Sequence, residues 1–241
     1  AYDIANSCRF NDDDSAYMNI TPSAGNRKTY TFSTWVKRAN LGSDQVLLNG
    51  GGGGNPNTTI RFDSGNQFHV FEYTDGFVWR LQTNRLFRDV SAWLHIVVAV
   101  DTTQATDTNR VKIYINGTQE TSFAENDYPA QDTDYSINNN VQHNIGNNAS
   151  SNYFDGYMAE TVFIDGLALT PTSFGEFDSD SPTIWKPKNV SGLTFGTNGT
   201  YLQFSDSANL GDDTSGNTND WSETNLDATD QATDTPTNNF C

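Results

Sequence analysis

Positive charge is scarce in this chain. Thirteen Lys and Arg stand against thirty Asp and Glu in 241 residues, for a net charge of −17. A phosphate backbone is held by an excess of Lys and Arg, so nucleic acid is excluded as a partner. No apolar run approaches the roughly 18 residues of a membrane span, and no basic and apolar leader precedes Tyr2. Membrane insertion is therefore not expected. The acidity itself reads as solubility, with Asp clusters a place where divalent cations could sit.

The usual catalytic residue types are also thin. There is no Gly-x-Ser-x-Gly elbow and no Cys/His spacing suited to zinc. The three histidines, His69, His95 and His143, lie far apart in strand-like runs and read as sheet residues rather than bases. There are six glutamates, Glu72, Glu120, Glu125, Glu160, Glu176 and Glu223, and none has an acidic residue two positions on within an expected strand. Glycoside hydrolysis needs two carboxylates flanking one bond, so the single-strand arrangement of sandwich glucanases is missing, although separate loops could still supply a pair. The expectation is a non-enzymatic protein. Cysteine occurs only at Cys8 and Cys241. If the first and last strands pair, a disulfide between them would close a very long loop; the simpler reading is two unrelated thiols.

What the chain does have is alternation. From Trp93 the run WLHIVVAVD places Leu94, Ile96, Val98 and Val100 on one face and His95, Val97, Ala99 and Asp101 on the other. RVKIYING repeats the pattern after TTQATDTN, a loop rich in turn-forming residues. Together they read as an antiparallel hairpin. Asn116-Gly117 then supplies a tight turn into a strand over Thr118 to Phe123. Further strands are expected over 16–20, 29–38, 45–49, 58–63, 67–73, 77–83, 142–145, 158–165, 183–186 and 201–204. Turn residues such as Asp75-Gly76 and Asp165-Gly166 mark the gaps. Only Thr170 to Phe177 reads as helix, with Thr170 as cap and Pro171 at the first position.

Aromatics at 12% and hydrophobics at 35% can fill one core, and a single β domain of about 200–250 residues is ordinary. The fold class is all-β: a two-sheet antiparallel jelly-roll sandwich with one short helix. Residues 1–204 are assigned to the sandwich. Residues 205–241 form a polar Asp/Asn/Thr-rich extension that packs on it or leads to a further domain, anchored by Leu210, Trp221, Leu226 and Phe240. Gly50 to Gly54 lacks the Lys-Ser/Thr and following helix of a phosphate loop; it is a flexible loop that could lie over a ligand.

Several phrases carry a resemblance. W-x-H-I-V-V-x-x-D from Trp93, K-I-Y-I-N-G from Lys112, Ile145-Gly146 and Y-F-D-G-Y-M-A-E from Tyr153 resemble the laminin-G-like or concanavalin A-like jelly roll. N-R-K-T-Y-T-F-S-T-W-V-K-R (Asn26 to Arg38), R-F-N-D-D-D-S-A-Y (Arg9 to Tyr17) and T-D-T-P-T-N-N-F-C (Thr233 to Cys241) resemble a variety of that domain in virion proteins of marine bacteriophages. The resemblance implies a tail-fibre or capsid-surface component, assembled as a homo-oligomer with other virion proteins and continuing past Cys241. It implies adhesion to a host cell-surface glycan, stabilisation of the particle, or both. The alternative is a secreted marine bacterial protein that binds or degrades polysaccharide.

The same resemblance implies calcium at one rim, where Asp12, Asp13, Asn147 and Asp155 could supply oxygens, although no EF-hand spacing is present. A sugar would need an aromatic platform beside amide acceptors, for which Tyr73, Trp79, Asn147 and Tyr153 are the candidates; each is more often a packed sheet residue. Asp155-Gly156 should feed a strand with Met158, Glu160 and Val162 on one face. Glu160, if interior, needs an Arg or backbone partner, and Arg38 is a candidate.

Overall fold

A computed structural model describes residues 2–149 and 151–239. The protein is an all-β sandwich. The chain opens with β1 (Ser7–Phe10) in one layer and β2 (Tyr17–Ile20) in the other, then returns to the first for the long β3 (Thr29–Arg38). A meander of neighbours follows in the second layer: β4 (Gln45–Gly50), β5 (Asn57–Phe62), β6 (Gln67–Tyr73) and β7 (Phe77–Leu86). The first layer takes the next meander, β8 (Leu94–Asp101), β9 (Val111–Ile115) and β10 (Thr118–Gln119). β11 (Phe123–Asp127) and β12 (His143–Ile145) return to the second layer, and β13 (Gly156–Asp165) to the first. A small hairpin, β14 (Gly175–Phe177) with β15 (Trp185–Pro187), precedes β16 (Thr200–Leu202), β17 (Ser222–Thr224) and β18 (Gln231–Ala232).

In space the first sheet runs β10-β9-β8-β3-β13-β1-β18, with β16 on the far half of β13; the second runs β11-β7-β6-β5-β4-β12-β2-β17. All pairings between these strands are antiparallel. The alternation around Trp93 has its cause here. Ile96, Val98 and Val100 face Phe62, Phe68, Val70 and Leu81 across the main core, each burial worth about 1.5–3 kcal/mol. The opposite face of β8 is buried as well. Val97 packs with Val162, Ile164 and Phe174 in a second cluster, while Trp35, Trp93 and Trp185 form a third. His95 is stacked between Trp35 and Trp185, at 4.8 and 5.9 Å between centroids. Its Nδ1 accepts from the Trp185 indole at 3.0 Å, which leaves Nε2 to donate to Ser33 Oγ at 2.9 Å. Burial holds its pKa down to about 3, so this ring is a neutral structural bridge.

Four local expectations need correction. The Thr118–Phe123 strand divides: Asn116 and Gly117 have φ of 48° and 78°, and the turn they make feeds only Thr118–Gln119. Phe123 already belongs to β11 in the other sheet. The helix over Thr170–Phe177 is a single 3₁₀ turn, Pro171–Ser173. Gly175 leaves it as a strand, because the chain there pairs with β15 and a Cβ on Gly175 would stand 2.6 Å from the Trp185 ring. In β13 a bulge shifts the register between Ala159 and Val162, with Glu160 at φ 48°. Met158 therefore faces the main core and Val162 the opposite cluster. Glu160 is not held by Arg38. Its carboxyl accepts from the Tyr2 hydroxyl at 3.1 Å and from that of Tyr201, while Arg38 donates to Gln45 Oε1 and to the Phe87 carbonyl.

Residues 205–239 are stitched into both sheets. β17 pairs with β2 and β18 with β1, and Leu210, Trp221 and Leu226 reach the main core. Cys8 is buried in β1. Phe240, Cys241 and hence any bond to Cys8 lie outside the described residues.

Candidate functional site

The outer face of the second sheet holds the site, and strand alternation builds most of it. Ile60 and Phe62 of β5 and Phe68 and Val70 of β6 face the core. Asn57, Thr59 and Arg61, and His69, Phe71 and Tyr73, therefore face outward. By the same rule Phe77 should follow Trp79 and Leu81 of β7 inward, but it does not. Tyr73 is opposite Phe77 while Glu72 is opposite Trp79, so Val78 is an extra residue and the strand bulges. The bulge turns Phe77 out onto His69, Phe71 and Tyr73, with centroids at 5.5, 5.2 and 5.6 Å.

Beside these rings lies an open cleft of about 530 Å³ lined by Gly53, Gly54, Asn55, Asn57, Arg61, Phe71, Tyr73, Phe77 and Asn148. Tyr73 and Phe77 are 38% and 45% exposed, which makes them the accessible aromatic faces. The glycine run forms one wall. Gly51, Gly52 and Gly53 have φ of 125°, 57° and 69°, a path open chiefly to glycine. A Cβ on Gly53 would lie 2.6 Å from that of Ala149, so the missing side chain lets the 51–54 turn meet the 148–149 loop. Asn49 Oδ1 accepts from the Gly53 amide at 3.3 Å, and Asn57 Nδ2 donates to the Gly54 carbonyl at 2.9 Å, which fixes the turn over the sheet.

The charges are arginines set on rings. Arg61 lies over Phe71 at 5.0 Å and pairs through Nη1 with Asp44 at 2.7 Å; its Nε has no partner among the described residues. Burial lowers its pKa, and the neighbouring Asp44 and Asp63 offset part of that. Arg80 lies over Phe77 at 4.8 Å and pairs with Glu125 at 2.8 Å. His69, opposite Arg61 in the ladder, is 4% exposed with neither ring nitrogen partnered among the described residues. Burial first, then the Arg61 charge, brings its pKa down to about 4, so it is neutral near pH 7. Aromatic faces, amide donors and acceptors, and a guanidinium are what a stacked, hydroxyl-rich ring requires.

Of the expected ligand residues, only Tyr73 lines this cleft. Trp79 is 1% exposed in the core against Tyr135, on the inner side of the sheet with Leu81. Asn147 is fully buried with its amide nitrogen and oxygen unpartnered among the described residues; its neighbour Asn148 is the one in the lining. Tyr153 is half-buried against Tyr17, at 6.4 Å, away from the lining. The calcium set does not assemble. Asp155 is near enough to Asp12 and Asp13 for their charges, after burial, to raise its pKa. Yet among the described residues no three His, Cys, Asp or Glu side chains are placed to share an ion, and the amide of Asn147 is shut inside. Reading the sequence missed Phe77, Phe71, Arg61, Asn55, Asn57 and Asn148. The glycine run and Asp75-Gly76 were the available signals, since both flank the cleft.

Residues 12–173 match the family described as the concanavalin A-like lectin/glucanases superfamily. The chain belongs to that superfamily. Among solved structures this superfamily member is similar to the native heptameric SAP-like pentraxin of Limulus polyphemus, at 13% identity and a TM-score of 0.51, over 70% of this chain and 80% of that one. It is also similar to a Bacteroides ovatus protein whose suggested role is carbohydrate binding. There the identity is 16% and the TM-score 0.53, over 71% of this chain and 46% of that one. At these identities the likeness establishes the shared fold. No curated protein matches the chain in sequence.

Proposed function

We propose that the chain is a non-catalytic glycan-adhesion module on the surface of a bacteriophage particle, carried by a tail fibre or decorating the capsid. It works as a homo-oligomer among other virion proteins, and its cleft beside Tyr73 and Phe77 holds the sugar of a host cell surface. The observation that carries the reading is the pair of exposed rings facing a 530 Å³ cleft whose other walls are Asn55, Asn57, Asn148 and Arg61. Binding rather than cleavage is supported by the same lining, in which none of the described residues is Asp or Glu. Two buried carboxyl groups are engaged elsewhere: Glu72 accepts from Ser136 Oγ at 2.6 Å, and Glu160 accepts from tyrosine hydroxyls. The virion placement is supported by the phrases at Arg9–Tyr17, Asn26–Arg38 and Thr233–Cys241.

Affinity electrophoresis against a panel of neutral and acidic polysaccharides tests the binding. At least one should retard the protein, and Phe77→Ala should weaken that retardation about tenfold, in line with 1–3 kcal/mol per stacked aromatic. Mass spectrometry of purified particles tests the location. Absence of the chain there would favour a secreted polysaccharide-binding protein instead.

A further inference from the structure

The proposed cleft has a chemical bias that its aromatic faces alone do not explain. In a chain of net charge −17, its described lining contains one charged residue, and that residue is an arginine. Arg61 is spent only in part. Asp44 takes Nη1 at 2.7 Å, while Nε has no partner among the described residues. The Nε/Nη2 edge of a guanidinium is a fork that meets two oxygens of one oxyanion. Nε is covered in the present arrangement, so a small turn of the guanidinium on the Phe71 ring must accompany contact. Beside it, His69 keeps both ring nitrogens unpartnered beneath Phe71 and Phe77. Buried polar groups left without partners next to an open cleft cost stability that a ligand can restore. Sugar hydroxyls would be served by Asn55, Asn57 and Asn148; Arg61 can only donate, and an acceptor-only group satisfies it best.

Resting on the glycan-binding reading, we propose that this cleft selects an acidic glycan, with a carboxylate or sulfate ester of one sugar ring seated on Arg61 while that ring stacks on Phe77 or Tyr73. Asp44 then competes with the ligand for the guanidinium, holding it in place when the cleft is empty and loosening when the oxyanion arrives.

Titration calorimetry on the full chain tests this with three probes: a uronate oligosaccharide, its carboxyl-reduced neutral counterpart, and a sulfated neutral oligosaccharide. The expected result is binding of at least one oxyanion-bearing probe about tenfold more tightly than the reduced one, the size of one charge-assisted contact; which of the two binds better identifies the anion. Arg61→Gln should abolish the difference between the acidic and the reduced probes. Asp44→Asn, which keeps the arginine and removes its competitor, should tighten the acidic probe several-fold, and its melting curve shows whether the sandwich is intact. Equal affinity for acidic and reduced probes, or no change in either variant, overturns the acidic preference and leaves the glycan reading standing. Binding by none of the probes or of the polysaccharide panel overturns both.

Discussion

Glu160 shows at the residue scale how burial writes a pH dependence into the fold. Its carboxyl is 6% exposed and among the described residues accepts from tyrosine hydroxyls, and burial raises its pKa from 4.5 to about 7. A raised folded-state value means that the native state keeps its proton longer than the unfolded chain. The protonated form is therefore the stable one, and stability falls as pH rises from about 4.5 through about 7. At 1.36 kcal/mol per unit the loss is on the order of 3 kcal/mol. His69, His95 and His143, whose values are lowered to about 4, 3 and 4, pull the other way, losing stability as pH falls below 6.5. Comparison with Glu160→Gln isolates the carboxyl. The variant should melt higher than the parent at pH 8 and close to it at pH 5; equal shifts at both pH values would show that Glu160 is not the titrating group. At the same scale, Phe77 and Trp79 are two positions apart with opposite fates. Trp79→Ala should cost about 3–5 kcal/mol of stability by emptying the core. Phe77→Ala, at a ring 45% exposed, should move the melting temperature little and act on binding. Melting and sugar titration of the two variants side by side would show the split.

Elements explain why some of this was legible and some was not. The meander around Trp93, the strand over 29–38 and the β4–β7 run were readable because period-two alternation on buried strands leaves a strong mark. Bulges leave none. The extra residues at Val78 and near Glu160 invert the face assignments beyond them, so Phe77, which plain alternation puts inside with Trp79, was passed over. Asn148 could not be told from Asn147 by type; only the loop path decides which one is buried. Short strands such as β1, β17 and β18 escaped because two to four residues carry no usable period. The last two make a prediction. A chain ending at Phe204 would lose β17, β18 and the buried Leu210, Trp221 and Leu226, each worth about 1.5–3 kcal/mol, and uncover β2 and β1 as raw edges. That is comparable to the ~5–15 kcal/mol that holds a typical domain folded. The truncated chain should be insoluble or lack a cooperative melt, whereas an autonomous sandwich over 1–204 would melt like the parent.

For the whole molecule, the acidic surface and the arginine in the cleft work against each other over different distances. Net charge −17 repels any approaching anion, and that repulsion acts over a Debye length of roughly 30 Å at 0.01 M salt but only about 8 Å at 0.15 M. Contact with Arg61 is short-ranged and partly shielded from water, so salt weakens it far less. Adding salt therefore strips away the opposing term first. Affinity for an acidic oligosaccharide should rise between 0.01 and 0.15 M, the reverse of the fall seen when a basic protein binds a polyanion, while a neutral oligosaccharide should show no trend. The gain should appear in the association rate, since remote charge governs encounter and contact governs release. Stopped-flow titration at the two salt concentrations separates these rates. A steady loss of affinity with salt would mean that the field at the cleft is set by Arg61 and Arg80 rather than by the surface as a whole.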